Sequence, residues 1–559
     1  MRTILKNGKI YVEKNNFQEA LLIENGRIKQ VGSNGEILNN NADNVMDLQG
    51  KTVLPGFNDS HMHLASVGAV MSCCNLTSGK SIDEIIQLGR KFLEENKGLT
   101  VLYGRGWNQD CFTTGEKRLL NRLDLDRIST EIPIVFHRVC GHVSVGNTKA
   151  LEVLGIDENT FVDGGTIELD SEGKPNGIFN ENAVSLIKSV IPEKNHKDIE
   201  EEFLKAANYA LSVGITSVQS CDVSNKEFKN MFNIIHSIYD NKKTKLRYGI
   251  QFNFQDIEDL KDYLESEFKE GQYDENFLSK GALKLFKDGS LGARTALMLK
   301  DYEDAPGIKG VAALTDEQLQ ELCDLATEYG IRVVTHAIGD GAVESVINAY
   351  EKTMKNGKNN LRHGIVHCQI TSMEQLERIA RLNIPIMYQP IFLDYDLKIV
   401  ESRVGKELSS TSYAFNTLYQ LGTPISFGTD APVEDCNPFP NIYCAITRQG
   451  MDGNPKGGFY PKEKMELEDV IDAYTIGSAF NEFKENFKGR LKPNYVADLI
   501  VLDRDIFTIE ELEIKDIKVE KTMVNGEFVY EKWYCVYIDL GELLNPLNLY
   551  YLTFSTRIK

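Results

Sequence analysis

His61 and His63, in Asp59-Ser60-His61-Met62-His63, are spaced to act together. Side chains of an extended chain alternate faces, so both imidazoles project to one side while Met62 points away. Two imidazoles on one rigid edge suit a divalent metal, although the pattern is short and a metal-free pair near a strand end is the plain alternative. Only nine histidines occur in 559 residues. Two more of them, His336 and His367, also close strand-like apolar runs, as does Asp430. Taken alone, each is weak: a single histidine near a strand end is more often structural, and Asp430, ahead of Ala431-Pro432, could cap a turn. If the runs are strands of one barrel, their ends ring a single mouth and five nitrogen and oxygen ligands converge there. Lys284 needs separate treatment, because an ammonium cannot ligate a cation. Burial and nearby positive charge lower an amine's pKa, and a neutral amine can add CO2 to give a carbamate, an anion able to bridge two metals. The competing reading pairs Lys284 with Asp288 on the same face; alternation turns Lys287 to the opposite one.

The elements that must position these residues are an alternation of apolar strand-like runs with amphipathic helices, the pattern of parallel βαβ units. After the His61 strand come runs at 214–219, 246–252, 282–286, 331–336, 364–367, 384–389 and 424–430, separated by helices such as Thr315 to Tyr329 and Ser372 to Leu382. Eight units close a barrel, with an active site at the C-terminal ends of the strands. The gap from 65 to 213 is longer than a βα connection needs and predicts an inserted subdomain at about 98–180, with strands of its own near 99–105 and 132–140. Such an insertion suits a lid or a specificity wall. Residues 1–54 alternate short apolar runs with Asn7-Gly8, Asn25-Gly26 and Asn34-Gly35, which read as hairpin turns. A similar pattern, with Asn525-Gly526, returns at 481–531. The expectation is an α/β chain: a (β/α)8 TIM barrel over 55–480, a small composite β-sandwich domain built from both ends, and a tail at 532–559 without clear periodicity.

Pro55-Gly56-Phe57-Asn58-Asp59-Ser60-His61-Met62-His63 is similar to the first-strand signature of the amidohydrolase superfamily, and the later motifs resemble its family 3 branch, which includes N-substituted formamide deformylases. The resemblance spans roughly residues 1 to 530. It implies a metal-dependent hydrolase with ligands on the strands that carry His61, His63, Lys284, His336, His367 and Asp430, one or two divalent ions, most often zinc, and N6-carboxylation of the fourth-strand lysine. It also implies substrate contacts at His142, in Gly141-His142-Val143-Ser144-Val145-Gly146-Asn147, and at Trp107, in Gly104-Arg105-Gly106-Trp107-Asn108. A surface histidine and a packed core indole are the bland readings of these two. Arg294 offers a fork donor for a substrate carboxylate or amide oxygen, against a structural pair with an acidic loop. His363 shares a strand face with His367 and should lie deeper, in the core. Where many relatives have Glu before the sixth-strand histidine this chain has Val366, which loosens transfer of substrate detail but not of the metal site.

The formal charge of −20 argues against a nucleic-acid partner, since a phosphate-binding surface shows a basic excess. No uninterrupted apolar run spans a bilayer, the N-terminus lacks a signal-peptide core, and the ten cysteines are irregularly spaced apart from Cys73-Cys74, which fits reduced thiols. A cytoplasmic enzyme follows as the expectation, with a small-molecule amide as its partner and a homodimer as the candidate assembly. The reaction is hydrolysis of a non-peptide C–N bond, such as that of an N-substituted formamide, by metal-activated water. Asp430 would move the water's proton to the leaving nitrogen, and His336, His142 or the metal would polarise the carbonyl. Two rivals stand beside it. A cyclic amidine deaminase commonly adds His-x-x-Glu near the fifth and sixth strands, whereas His336 is followed by Ala337-Ile338-Gly339-Asp340. A non-catalytic binding protein on a hydrolase scaffold would usually have lost ligands.

Overall fold

The computed structural model describes residues 1–532 apart from 140–141, 225–227 and 272; all but the first residue of the expected tail lies outside the described residues. Eight strands carry the candidate chemistry: β1 (Phe57–Met62), β2 (Ile215–Ser224), β3 (Arg247–Asn253), β4 (Leu278–Phe286), β5 (Arg332–Ala337), β6 (Gly364–His367), β7 (Ile386–Tyr388) and β8 (Ile425–Phe427). They pair in chain order from β1 to β8, all in parallel. β6, β7 and β8 are buried along their whole length, as expected of strands covered on both faces. The sheet then returns on itself just beyond β8, where the Asp430 N–H donates to the His61 carbonyl at 2.9 Å and the His63 N–H to the Ala431 carbonyl at 2.8 Å. It is a TIM barrel, as the sequence pattern predicts.

The helices between strands start where the capping chemistry puts them. Asp316–Glu328 and Met373–Arg381 are each preceded by a hydroxyl residue, Thr315 and Ser372, whose side chain accepts from the N3 amide while the N3 glutamine reaches back. Inside the barrel Ala282, Val334, Val366 and Met387 form a small apolar cluster. By alternation Ala282 and Val334 lie one step below Lys284 and His336, so this cluster floors the candidate site. Val366 is part of that dry layer.

The two chain ends build one β-sandwich. Thr52–Pro55 pairs antiparallel with Leu499–Leu502, matching Leu54 with Ile500 and Val53 with Val501, within a six-stranded sheet that also holds Lys9–Glu13 and Val519–Val524. A four-stranded sheet containing Arg2–Lys6 and Ala20–Glu24 faces it, and side chains of both sheets, among them Leu5, Leu21, Val53, Leu499 and Met523, share one core. Asn25-Gly26 and Asn525-Gly526 are left-handed turns, with φ of 50°, 78°, 52° and 78°, and both close hairpins. The other two Asn-Gly pairs do not. Asn7-Gly8 passes the chain from one sheet to the other. Asn34-Gly35 opens a short helix, Asn34–Ile37, because Ser33 and Glu36 form a capping box that outcompetes the turn.

Val67–Lys205 forms a separate compact unit, beginning earlier and ending later than the expected 98–180. Its six-stranded sheet includes Leu102–Trp107 and Ile134–Arg138, around a core of its own with Leu76, Ile85, Trp107, Phe112 and Phe136.

One buried ion pair ties the barrel to the sandwich. Arg247 on β3 grips Asp498 with two bonds, Nε–Oδ2 at 2.6 Å and Nη2–Oδ1 at 3.0 Å, and the side chains are only 3% and 5% exposed. Asp498 Oδ1 also accepts the Asn525 amide at 2.8 Å. Asp498→Ala strands a buried guanidinium, a loss of about 3 to 5 kcal/mol, whereas replacing both partners with apolar residues can be neutral. The urea midpoint should therefore fall clearly in Asp498→Ala and recover in Arg247→Met with Asp498→Leu. A single variant as stable as the wild type would show that the pair does not join the two parts.

Candidate metal centre

The loop after β8 brings Asp430 back over the end of β1, and three donors meet. Asp430 Oδ1 lies 3.4 Å from His61 Nε2 and 3.3 Å from His63 Nε2, and the ligand atoms of the three residues all fall within 4.8 Å of one another. The shared facing expected from the His-x-His spacing is thus realised. His61 is buried and His63 partly so. Each points its other ring nitrogen at a neutral oxygen: His61 Nδ1 at Gln251 Oε1, 2.6 Å, and His63 Nδ1 at the Cys221 carbonyl, 3.0 Å. Burial lowers the pKa of His63, but the Asp430 carboxylate and the Cys221 side chain outweigh it and raise it to about 11. For His61 burial dominates, with Lys284 adding to it, and its pKa is pushed well down.

The ends of β1 and β8 are locked together below this cluster. Asp59 is wholly buried. It accepts from the Thr429 hydroxyl at 2.6 Å, the Thr429 amide at 3.1 Å and the His61 amide at 3.0 Å, and burial raises its carboxyl to about 7 against those donors. Gly428 sits so close that a Cβ there would lie 2.7 Å from both the His61 nitrogen and Asp59 Oδ1. On the far side of His63, the Ser220 hydroxyl accepts the Leu64 amide at 2.7 Å and donates to Asp222, which also accepts from the Tyr248 hydroxyl and the Ala65 amide.

The remaining imidazoles line up beside the cluster. The His367 ring is 6.0 Å from that of His61 and 4.4 Å from that of His336, and Phe392 stacks on its other face. His367 and Asp430 both have left-handed backbones, φ 76° and 54°, a strained state at roughly 1 to 3 kcal/mol each that clusters at functional sites. The twist at His367 also overturns the expectation that His363 shares its face. His363 packs against Tyr350 in the helix layer and accepts the Val333 amide at 3.0 Å, so its core role stands but its side does not. His336 Nε2 lies 3.0 Å from the Gly289 carbonyl and 3.3 Å from Asp288 Oδ1, leaving Nδ1 as its available ligand atom.

Lys284 is fully buried, and its Nζ has no hydrogen-bond partner among the described residues. Burial lowers its pKa to about 8. Its ammonium position lies 3.5 Å from the Phe286 ring centre. Asp288 does not pair with it: the carboxylate is filled by the amides of Leu297, Ile338 and Gly339. Lys287 points the other way, to Asp316 and the Leu314 carbonyl, both at 2.7 Å. A divalent ion fits this donor set. Asp430 Oδ1 is buried and without a hydrogen-bond donor, two imidazole Nε2 atoms face it, and a buried amine beside them has nothing to bond.

Three residues expected at the substrate stand differently. Trp107 is completely buried in the core of the 67–205 unit, so the packed-indole reading holds. Arg294 is committed to Asp304 at 2.8 and 3.0 Å, in a loop pair that Arg403 joins. His142 is exposed and its Nδ1 sits 3.0 Å from Glu181 Oε2. Conversely, Gln251, Gln389, Asp59, Asp222 and Thr429 earn no role from sequence motifs. The one available signal is a glutamine within a buried strand, as Gln251 is in β3.

A model of the amidohydrolase family matches residues 44–530. YtcJ of Bacillus subtilis, whose name places it among amidohydrolases, is 33% identical over 540 residues, covering 95% of this chain and 100% of its own. The N-substituted formamide deformylase of Arthrobacter pascens is 25% identical over 543 residues, covering 93% and 96%. The crystal structure of an uncharacterised metal-dependent hydrolase from Pyrococcus horikoshii superposes with a TM-score of 0.74 at 29% identity, over 91% of this chain and 99% of that one.

Replacing His61 and His63 together with alanine should strip divalent metal from the purified protein and abolish turnover while leaving circular dichroism near native. Full metal content in the double variant would place the ion elsewhere.

Proposed function

The chain belongs to the amidohydrolase family and is a hydrolase of carbon–nitrogen bonds, and on that premise we propose that its substrate is a small non-peptide amide, specifically an N-substituted formamide. The observation that carries the reading is the meeting of His61, His63 and Asp430 at the barrel mouth with ligand atoms within 4.8 Å. The full-length likeness to a formamide deformylase supports the substrate class. We propose zinc as the ion, since imidazole and carboxylate donors suit it. Bound there, it would act as a Lewis acid and lower the pKa of water from 15.7 to about 7.

The chain's own residues do the rest. His61 and His63 hold the ion from β1, and His336 and His367 extend the donor set from β5 and β6. Asp430, with one oxygen turned to the imidazoles, takes the proton of the attacking water and returns it to the leaving nitrogen as the C–N bond breaks. His336 is near enough to the donor set to polarise the substrate carbonyl. His142, exposed beside Glu181, and Arg294, held by Asp304, are proposed as substrate contacts. At Lys284 the proposal is carboxylation: Nζ of the buried amine, which has no hydrogen-bond partner among the described residues, bonds to the carbon of CO2 and loses a proton, and the carbamate would give the site an anionic donor for a second divalent ion.

Formate release from N-substituted formamides, screened beside cyclic amidines, tests the substrate class; activity on the amidines alone would overturn it. Asp430→Asn should keep much of the metal but lose nearly all kcat, at least ~100-fold, because an amide cannot shuttle the proton. Near-normal kcat would remove Asp430 from that role. In Lys284→Ala the metal stoichiometry should fall from about two toward one, with partial rescue by a short carboxylic acid. Unchanged stoichiometry, or an unmodified amine by intact-mass analysis of the native protein, would rule the carbamate out.

A further inference from the structure

His61 and His367 come from different strands, yet the same device holds both. His61 Nδ1 lies 2.6 Å from Gln251 Oε1, and His367 Nδ1 lies 2.7 Å from Gln389 Oε1. The two amides are kept this way round by their other ends: Gln251 Nε2 donates to the Ser60 carbonyl at 3.0 Å, and Gln389 Nε2 to the Met387 carbonyl at 3.1 Å. A carbonyl only accepts, so the NH2 end must face it and the oxygen end must face the imidazole. An oxygen at Nδ1 then demands a proton there, which leaves the lone pair on Nε2. Both glutamines are buried, 2% and 3% exposed, so neither amide can turn to water instead. Gln251 lies in β3 and Gln389 follows β7, so each clamp reaches its histidine from another strand.

We propose that Gln251 and Gln389 are positioning residues of the metal centre, fixing the tautomer and ring orientation of His61 and His367 through a neutral acceptor. The neutrality matters as much as the geometry. A carboxylate at the same place would draw the Nδ1 proton toward itself, make the imidazole a stronger donor and add a negative charge. An amide oxygen orients the ring without that charge. His63 follows the same rule, since its Nδ1 faces the Cys221 carbonyl. Asp430 is then the carboxylate that faces His61 and His63 directly, whereas Asp288 lies 3.3 Å from His336, outside the pair of glutamine clamps. An ion held there keeps more of its own charge, and with it more of its power to polarise a substrate carbonyl.

The inference rests on the metal reading of the site, and the experiment separates the two. Protein stripped with a chelator is reloaded with Zn2+ or Co2+, and affinity is read by competition with a chromophoric chelator. Gln251→Met and Gln389→Met remove the acceptor at similar volume and should each weaken metal binding about 10- to 100-fold, with melting temperature little changed. Gln251→Glu keeps an acceptor and should bind at least as tightly as wild type, while shifting the Co2+ absorption bands and lowering kcat. Folded methionine variants that bind as tightly as wild type overturn the proposal. Should those variants fail to fold, Gln251→Glu decides it: wild-type affinity together with wild-type Co2+ bands and kcat overturns it. Wild-type protein that takes up no divalent ion sinks the metal reading and this inference together; a loaded wild type beside equally tight variants sinks this inference alone.

Discussion

The seam where β8 meets β1 is the place on which the site depends. Asp59 accepts donors from Thr429 and from the His61 amide, and the backbones of Asp430 and His63 cross-bond to the opposite strand. These contacts leave no room for a side chain at residue 428, which is why glycine stands there. The bonds that close the barrel are therefore within two residues of the donors His61, His63 and Asp430. A shift of either strand would move a ligand as well as break the closure. Rigid closure converts backbone pairing, which is insensitive to side-chain identity, into the placement of three donor atoms.

Electrostatics divide the barrel interior into zones. Above the layer of Ala282, Val334, Val366 and Met387 lie an unpaired lysine, several imidazoles and one carboxylate without donors on its inner oxygen. The usual rule is that a buried polar group has a partner. Two exceptions, Lys284 Nζ and Asp430 Oδ1, lie in this zone, and each is of the sign or donor type that a cation or a bridging anion would satisfy. The structural carboxylates nearby follow the rule: Asp59, Asp222 and Asp288 are each filled by several donors. The contrast separates groups that hold the fold from groups left for a ligand.

Much of this could be read from residue order. Strands buried on both faces gave continuous apolar runs, and Thr315 and Ser372 marked helix starts by hydroxyl-to-amide capping that needs no tertiary context. His61 and His63 were legible because a spacing of two has one meaning on a strand. Most of the failures share a cause, which is that a neighbour outside the quoted motif decided the outcome. Arg294 found Asp304 and Arg403, and Trp107 found a core. His363 and His367 were separated by one positive φ that no local signal announces. Gln251, 190 residues from His61, had no motif to belong to. Asn34-Gly35 is the exception: Ser33 and Glu36 are local, and their capping box outcompetes the turn with no help from a distant neighbour.

The seam between β1 and β8 also sets a schedule. Asp59 and Thr429 are 370 residues apart, so at ~5 to 20 residues per second a ribosome finishes the second partner roughly 20 to 75 s after the first. The sandwich waits longer still, because Val53 needs Val501. The 67–205 unit, with its own sheet and core, has all its residues early and can fold while the barrel is unfinished. Throughout that interval His61 and His63 are two imidazoles on an open edge without their carboxylate. Biosynthesis thus separates exposure of the first ligands from completion of the full set, and a cation captured early would be held by an incomplete site until the last strand arrives.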